Sequence, residues 1–204
     1  MIRADEAGGL LTLTLDRPDK ANALTEEMLT ALADAVDGAH AARTVVLTGT
    51  GRVFCAGADL EAARAGLAVS PAWERLSAAV AAHPGLTIAA LNGTVAGGAM
   101  GMVLACDLRV AVPETKVFYP VMKLGFLPQP SDPGRLSALV GPARAKMILM
   151  AGARIGAEEA LAWGLIDRIV PPERLRETVE ALAADAVGAA PEHVAAIKAM
   201  IEAR

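Results

Sequence analysis

The chain has 204 residues, of which 54% are hydrophobic and 21% charged, enough apolar surface for a packed core and too much for intrinsic disorder. Nineteen basic residues against 23 acidic ones leave a formal charge of −4 with no basic block, and aromatics make up only 3%, so no nucleic-acid partner is expected. Cys55 and Cys106 stand far apart with no His at ligand spacing, which excludes a disulfide scaffold and predicts no metal site. A reducing, cytoplasmic setting fits that usage. The opening MIRADE has no basic region followed by an apolar stretch, so no secretory signal is expected.

Residues 9–15, GLLTLTL, alternate apolar residues with threonine and read as a half-buried strand closed by Asp16-Arg17-Pro18. Thr25 then caps a helix in which Met28, Leu32, Ala35 and Val36 keep helical spacing as far as Gly38, with Glu26 and Glu27 in its first turn. Residues 44–48, 87–91 and 107–112 read as buried strands. Residues 84–106 carry no charge and are long enough to cross a bilayer. Asn92-Gly93 and the glycines at 97, 98 and 101 break that run, which reads better as strand, turn and buried helix; no membrane span is expected.

The segments VVLTGTGRVFCAGADL, from Val45, and TIAALNGTVAGGAMGM, from Thr87, repeat one unit: a strand, a glycine turn, and a small-residue stretch that opens a helix. Interleaved helices and short strands predict an α/β layer arrangement with a buried sheet. Residues 142–151, 157–163, 173–187 and 191–203 read as helices, so the chain divides into a core over 1–140 and a helical C-terminal region over 141–204 of the same domain.

Ala56-Gly57-Ala58-Asp59 and Ala96-Gly97-Gly98-Ala99 let the backbone approach a ligand closely, and each stretch opens a helix whose first N–H groups lack internal partners. Two such donors aimed at one oxygen make an oxyanion hole. Either stretch alone is more often simple packing; their repetition in one setting favours the site.

LTLDRPDKANALT at 13–25, GRVFCAGADL at 51–60, IAALNGTVAGGAMGMVLACDLRVA at 88–111 and GARIGAEEALAWGLIDRIVP at 152–171 together resemble the crotonase superfamily, the enoyl-CoA hydratase/isomerase family. The resemblance covers nearly the whole chain. It implies a spiral of ββα units, a homotrimer or dimer of trimers, and an acyl-CoA ligand whose thioester oxygen is held by the N–H groups of Ala58 and Gly98. Coenzyme A belongs to that ligand, and no separate cofactor is implied. Asn22 and Ala23, together with Ala56, Gly57, Asp59 and Leu60, would line the coenzyme channel, with Gly97 beside the second donor. Lys20, Arg17 and Arg52 are candidates for its phosphates, although any one of them is more simply a solvated side chain.

The chain departs from that family at the acid–base positions. The two glutamates that the family's hydratases place around the reacting carbons fall on Gly101 and Val121, and the carboxylate some isomerases carry in the next loop falls on Gln129. Each such group contributes about 10²–10⁴ in rate, so ordinary hydration is not expected. Asp132 reaches the pocket as a replacement or, the favoured reading, caps a helix over 135–140. Tyr119 and Lys123, read as alternate residues of a strand, share a face with Val121; core tyrosine and surface lysine are their default readings. His40, His83 and His193 are expected on the surface, and Cys55 as a small buried residue. Asp59 is expected to support the local helix start. Three functions stay open: a decarboxylase or isomerase that relies on the oxyanion hole, a non-catalytic acyl-CoA-binding protein, and a structural subunit. The resemblance implies further helices beyond the one over 191–203, which the sequence up to Arg204 does not include, so the acyl pocket and subunit contacts are expected to be less defined than the core.

Overall fold

The computed structural model describes residues 1–203. The chain opens with a hairpin, β1 (Ile2–Ala7) antiparallel to β2 (Leu10–Leu15), turned by Gly8 and Gly9, both at positive φ. A 3₁₀ turn, Pro18–Lys20, leads to α1 (Glu26–Asp37). Thr25 caps that helix as expected, its hydroxyl accepting from Met28 N–H at 3.3 Å, and Met28, Leu29, Leu32, Ala33 and Val36 form the buried face.

Three turns of one spiral follow. The first runs through β3 (Thr44–Gly49), β4 (Val53–Cys55), α2 (Leu60–Arg64) and α3 (Ala72–Ala82). The second is β5 (Leu86–Leu91), β6 (Thr94–Ala96) and α4 (Ala99–Ala105), and the third β7 (Leu108–Ala111), β8 (Lys116–Phe118) and a single helical turn, α5 (Val121–Leu124). The long strand of each turn lies parallel to the one before, giving β2-β3-β5-β7, and the short strands stack separately as β4-β6-β8. Gly93, between β5 and β6, shows how tightly successive turns stack: a Cβ there would lie 2.0 Å from the Arg52 carbonyl of the preceding turn.

The remaining elements are α6 (Asp132–Val140), α7 (Pro142–Leu149), β9 (Ile155–Gly156), α8 (Ala157–Trp163), β10 (Arg168–Ile169), α9 (Leu175–Gly188) and α10 (Pro191–Glu202). β10 adds to the large sheet beside β7 and β9 adds antiparallel to β8, completing the six- and four-stranded sheets. The inner parallel strands β3 and β5 are buried on both faces, as strands of a sheet covered on both sides are. Val45, Leu47, Ala89 and Leu91 enter the main core, while Val46, Ile88, Ala90 and Val110 meet Leu175, Val179 and Ala183 of α9. α10 is held at the sheet end through Lys198 Nζ, which donates to Asp107 Oδ2 at 2.9 Å and the Gly85 carbonyl at 3.1 Å.

The uncharged stretch 84–106 resolves into β5, β6 and α4, and every residue of α4 is buried, which accounts for its apolar character on all sides. Among the described residues no helix is long and apolar enough to cross a membrane. The repeated unit contains a second short strand that its pattern did not predict, because three-residue strands owe their pairing to the neighbouring turn of the spiral. β1 and α3 also lie outside the predicted elements.

Two readings are corrected. Tyr119, Val121 and Lys123 do not share a strand face, because the chain turns helical at Val121: Tyr119 and Val121 are buried and Lys123 is exposed. His83 is not on the surface but 3% exposed; its Nδ1 accepts from Gly85 N–H at 3.0 Å, which puts the proton on Nε2, 3.2 Å from the Ala39 carbonyl. His40 and His193 are exposed.

Arg109, on β7, is 3% exposed and donates to the Cys106 carbonyl at 2.7 Å, the Asp107 carbonyl at 3.1 Å and Asp167 Oδ2 at 3.3 Å. Arg109→Ala leaves the Cys106 and Asp107 carbonyls without their guanidinium donor where α4 feeds β7, and is expected to lower unfolding free energy by about 3 kcal/mol in denaturant titration.

Candidate active site

Two glycine turns, one from each of the first two turns of the spiral, meet at the helix starts. The first spans residues 56–59. Leu24 N–H donates to the Gly57 carbonyl at 2.8 Å and Asp59 N–H donates to the Leu24 carbonyl at 2.9 Å. Both flanking groups face Leu24, so the Ala58 N–H points the opposite way, and it makes no hydrogen bond among the described residues. The second turn spans residues 96–99. Gly97 N–H is taken by the Phe118 carbonyl at 3.1 Å, whereas the N–H of Gly98, the residue capping α4, has no acceptor among the described residues. Ala58 and Gly98 are both partly exposed.

Glycine is required for the two turns to touch. Gly57 and Gly97 have φ of +94° and +59°, and a Cβ on Gly57 would lie 3.0 Å from the Ala96 carbonyl and 3.6 Å from Gly97 Cα. The Trp73 ring packs against Gly98, where a Cβ would come within 3.0 Å of it, and the indole N–H is fixed by the Leu67 carbonyl at 2.8 Å.

Polar brackets hold the first turn from beneath. Asn22, at φ +53° and wholly buried, accepts from Arg17 N–H at 2.9 Å and donates to the carbonyls of Thr50 at 2.9 Å and Val53 at 2.8 Å. Asp59 Oδ1 caps α2 by accepting from Glu61 N–H at 3.0 Å and Ala62 N–H at 3.4 Å, as expected of it. Its Oδ2 accepts from Arg17 at 2.8 Å, and that guanidinium holds the carboxyl below the usual range. Arg17 also donates to the Ala23 carbonyl at 3.0 Å. Arg17 therefore braces the turn, and Asn22 and Ala23 are buried within it. Lys20, Arg52, Ala56 and Leu60 are exposed around its rim. Cys55 is buried, with its thiol pushed up to about 12, which makes it inert as a nucleophile.

Asp132 differs from its favoured reading. It does not cap a helix over 135–140; it is the first residue of α6, 0% exposed, with its side chain turned inward toward α4. A Cβ on Gly101 would lie 3.0 Å from Asp132 Oδ1 and 3.4 Å from Oδ2, so the carboxylate occupies the space that a side chain at 101 would take. Gly98 and Gly101 are three residues apart on α4 and share a face, which places this carboxylate one helical turn below the Gly98 donor. Tyr119 donates to Oδ2 at 2.9 Å, and Oδ1 has no partner among the described residues. Gln129 and Val121 are buried nearby in sequence, and neither supplies an ionisable group.

Burial pushes the Asp132 carboxyl up to about 6, opposed by the Tyr119 hydrogen bond, raised further by Glu74 and lowered by Arg135. A folded-state value above the unfolded one means the native protein holds this proton more tightly, so its contribution is full below about pH 4 and is lost as pH rises toward 6. Asp132→Asn, which keeps the shape and the Tyr119 contact, is expected to be more stable than the parent at pH 8 by about 3 kcal/mol, with the gap closing below pH 4 in thermal or denaturant unfolding.

The enoyl-CoA hydratase/isomerase family matches residues 5–204. A "Probable enoyl-CoA hydratase echA6" of Mycobacterium leprae is 34% identical over 197 residues, 94% of this chain and 78% of that protein. A 1,2-epoxyphenylacetyl-CoA isomerase of Escherichia coli is 34% identical over 187 residues, 86% of this chain and 71% of that one. The crystal structure of an enoyl-CoA hydratase from Bacillus anthracis superposes with a TM-score of 0.91 at 32% identity, covering 98% of this chain and 82% of its own. With its spiral of paired strands and helices, this chain belongs to the enoyl-CoA hydratase/isomerase family of the crotonase superfamily.

Proposed function

We propose that the protein binds an acyl-CoA thioester, stabilises its enolate between the N–H groups of Ala58 and Gly98, and moves a proton along the acyl chain with Asp132, an isomerase-type reaction. Removing a proton beside a thioester puts charge on the carbonyl oxygen, and two fixed amide donors offset that charge without reorganising. The observation that carries the reading is the unpartnered Asp132 Oδ1, held in the space vacated at Gly101 on the face of α4 that begins with Gly98. A base that titrates near neutrality accepts and returns a proton at comparable cost.

A single carboxylate suits a proton shift, in which one group takes the proton from the carbon next to the thioester and returns it two carbons further along. Hydration needs a second acid to hold the water, and Val121 is apolar. Decarboxylation of a malonyl-type thioester fits less well than the sequence suggested, because the substrate's own carboxylate would meet the buried Asp132 charge. The exposed apolar residues Met122, Leu124, Phe126 and Leu127 beside α5 support assembly as a homotrimer or dimer of trimers.

Incubation with 3-enoyl-CoA substrates in D₂O, followed by mass spectrometry, is expected to give 2-enoyl product and deuterium at the exchanging carbons, with a rate that rises with pH through about 6. Crotonyl-CoA hydration is expected to be negligible. Asp132→Asn should lower the isomerisation rate by about 10²–10⁴ and Gly98→Pro, which removes one donor, by a similar factor, while Asp132→Asn still binds the thioester in calorimetry. Tight binding without exchange in the parent protein would establish a non-catalytic acyl-CoA-binding protein instead.

A further inference from the structure

The geometry points to Tyr119 as the positioning residue of Asp132: by donating to Oδ2 it anchors that oxygen and leaves Oδ1 as the one that exchanges protons. This rests on Asp132 being the acid–base group. Tyr119 is 3% exposed and stands at the junction of β8 and α5. Its hydroxyl lies 2.9 Å from Asp132 Oδ2 and 3.5 Å from the backbone N of Gln129. A backbone N–H only donates, so the phenol oxygen receives from Gln129 and its single proton is directed at the carboxylate.

The consequence is an asymmetry between the two carboxylate oxygens. Oδ2 has a fixed donor, whereas Oδ1 has no partner among the described residues and is the oxygen nearer the space at Gly101. A carboxyl free to rotate would present either oxygen; one tethered through Oδ2 presents only Oδ1. The other charged groups facing Asp132 are Glu74 from α3, which accepts from the Ser131 N–H and hydroxyl, and Arg135 from α6 itself. The tyrosine also favours the charged carboxylate by hydrogen bonding to it, so its removal raises the pH at which Asp132 ionises.

The chain contains one tyrosine, so growth on 3-fluorotyrosine labels position 119 alone. The ¹⁹F resonance of the folded, ligand-free protein is expected to titrate with a midpoint near pH 6 and to become flat in Asp132→Asn. In Tyr119→Phe the acid limb of the exchange rate is expected to move up by about one pH unit, with the high-pH plateau falling about tenfold. A ¹⁹F signal unchanged between pH 4.5 and 8, or a Tyr119→Phe profile lowered without moving, overturns the inference while leaving Asp132 as the base. Exchange at the parent rate in Asp132→Asn removes the underlying reading, and the positioning role with it. The fluorine titration needs neither substrate nor a destabilising substitution, so the two failures are separable.

Discussion

The close approach of two backbones at Gly57 and Gly97 is the constraint on which the rest of this molecule depends. A Cβ on Gly57 would press on the Ala96 carbonyl at 3.0 Å, and both residues sit at positive φ, which favours glycine. Because the two turns touch, the successive strand pairs that carry them stay in register, and the free N–H groups of Ala58 and Gly98 are brought to one region at the starts of α2 and α4. The spiral makes this possible by repeating the same strand-to-helix turn one layer further along, so two equivalent donors arise from one piece of local geometry used twice.

The brackets beneath the first turn do a different job. Asn22 and Asn92 both reach the β3–β4 connection, Asn22 through Thr50 and Val53, Asn92 through Gly49 N–H at 3.0 Å and the Gly51 carbonyl at 3.0 Å. Arg17 links the Asn22 loop to Asp59, whose carboxylate caps α2. The bonds of Asn22 and Arg17 are part-buried, where an unmade one costs more than a made one contributes, and so they specify one conformation of the turn more than they add stability.

The Asp132 carboxylate and the glycine at 101 share one space. A side chain at residue 101 would project from α4 into a space that Asp132 fills from α6, and Gly101 is what leaves room for it. The buried charge is costly, and its partial compensation by Tyr119 with one oxygen left unpaired is the kind of strained electrostatics that native structures retain where it serves chemistry.

Much of this was legible in order along the chain. Alternation in residues 9–15, the Thr25 cap and the two glycine repeats are local signals, governed by strand period, capping chemistry and the freedom of glycine, and they located β2, β3 and β5, α1 and both glycine turns. The short strands β4, β6 and β8 were not legible, since three residues pair only because a neighbouring turn of the spiral supplies the partner. His83 and Tyr119 went inside, or turned off a strand, for reasons set by residues far away in sequence. Most telling is Asp132: its sequence neighbours Pro133 and Gly134 look like a helix cap, and only the packing of α6 across the gap at Gly101 turns its carboxylate inward. Sequence alone determined that two small-residue turns open two helices, because that is local stereochemistry; which ionisable group faces them was decided by tertiary structure, because a pocket is assembled from elements whose mutual placement no local rule encodes.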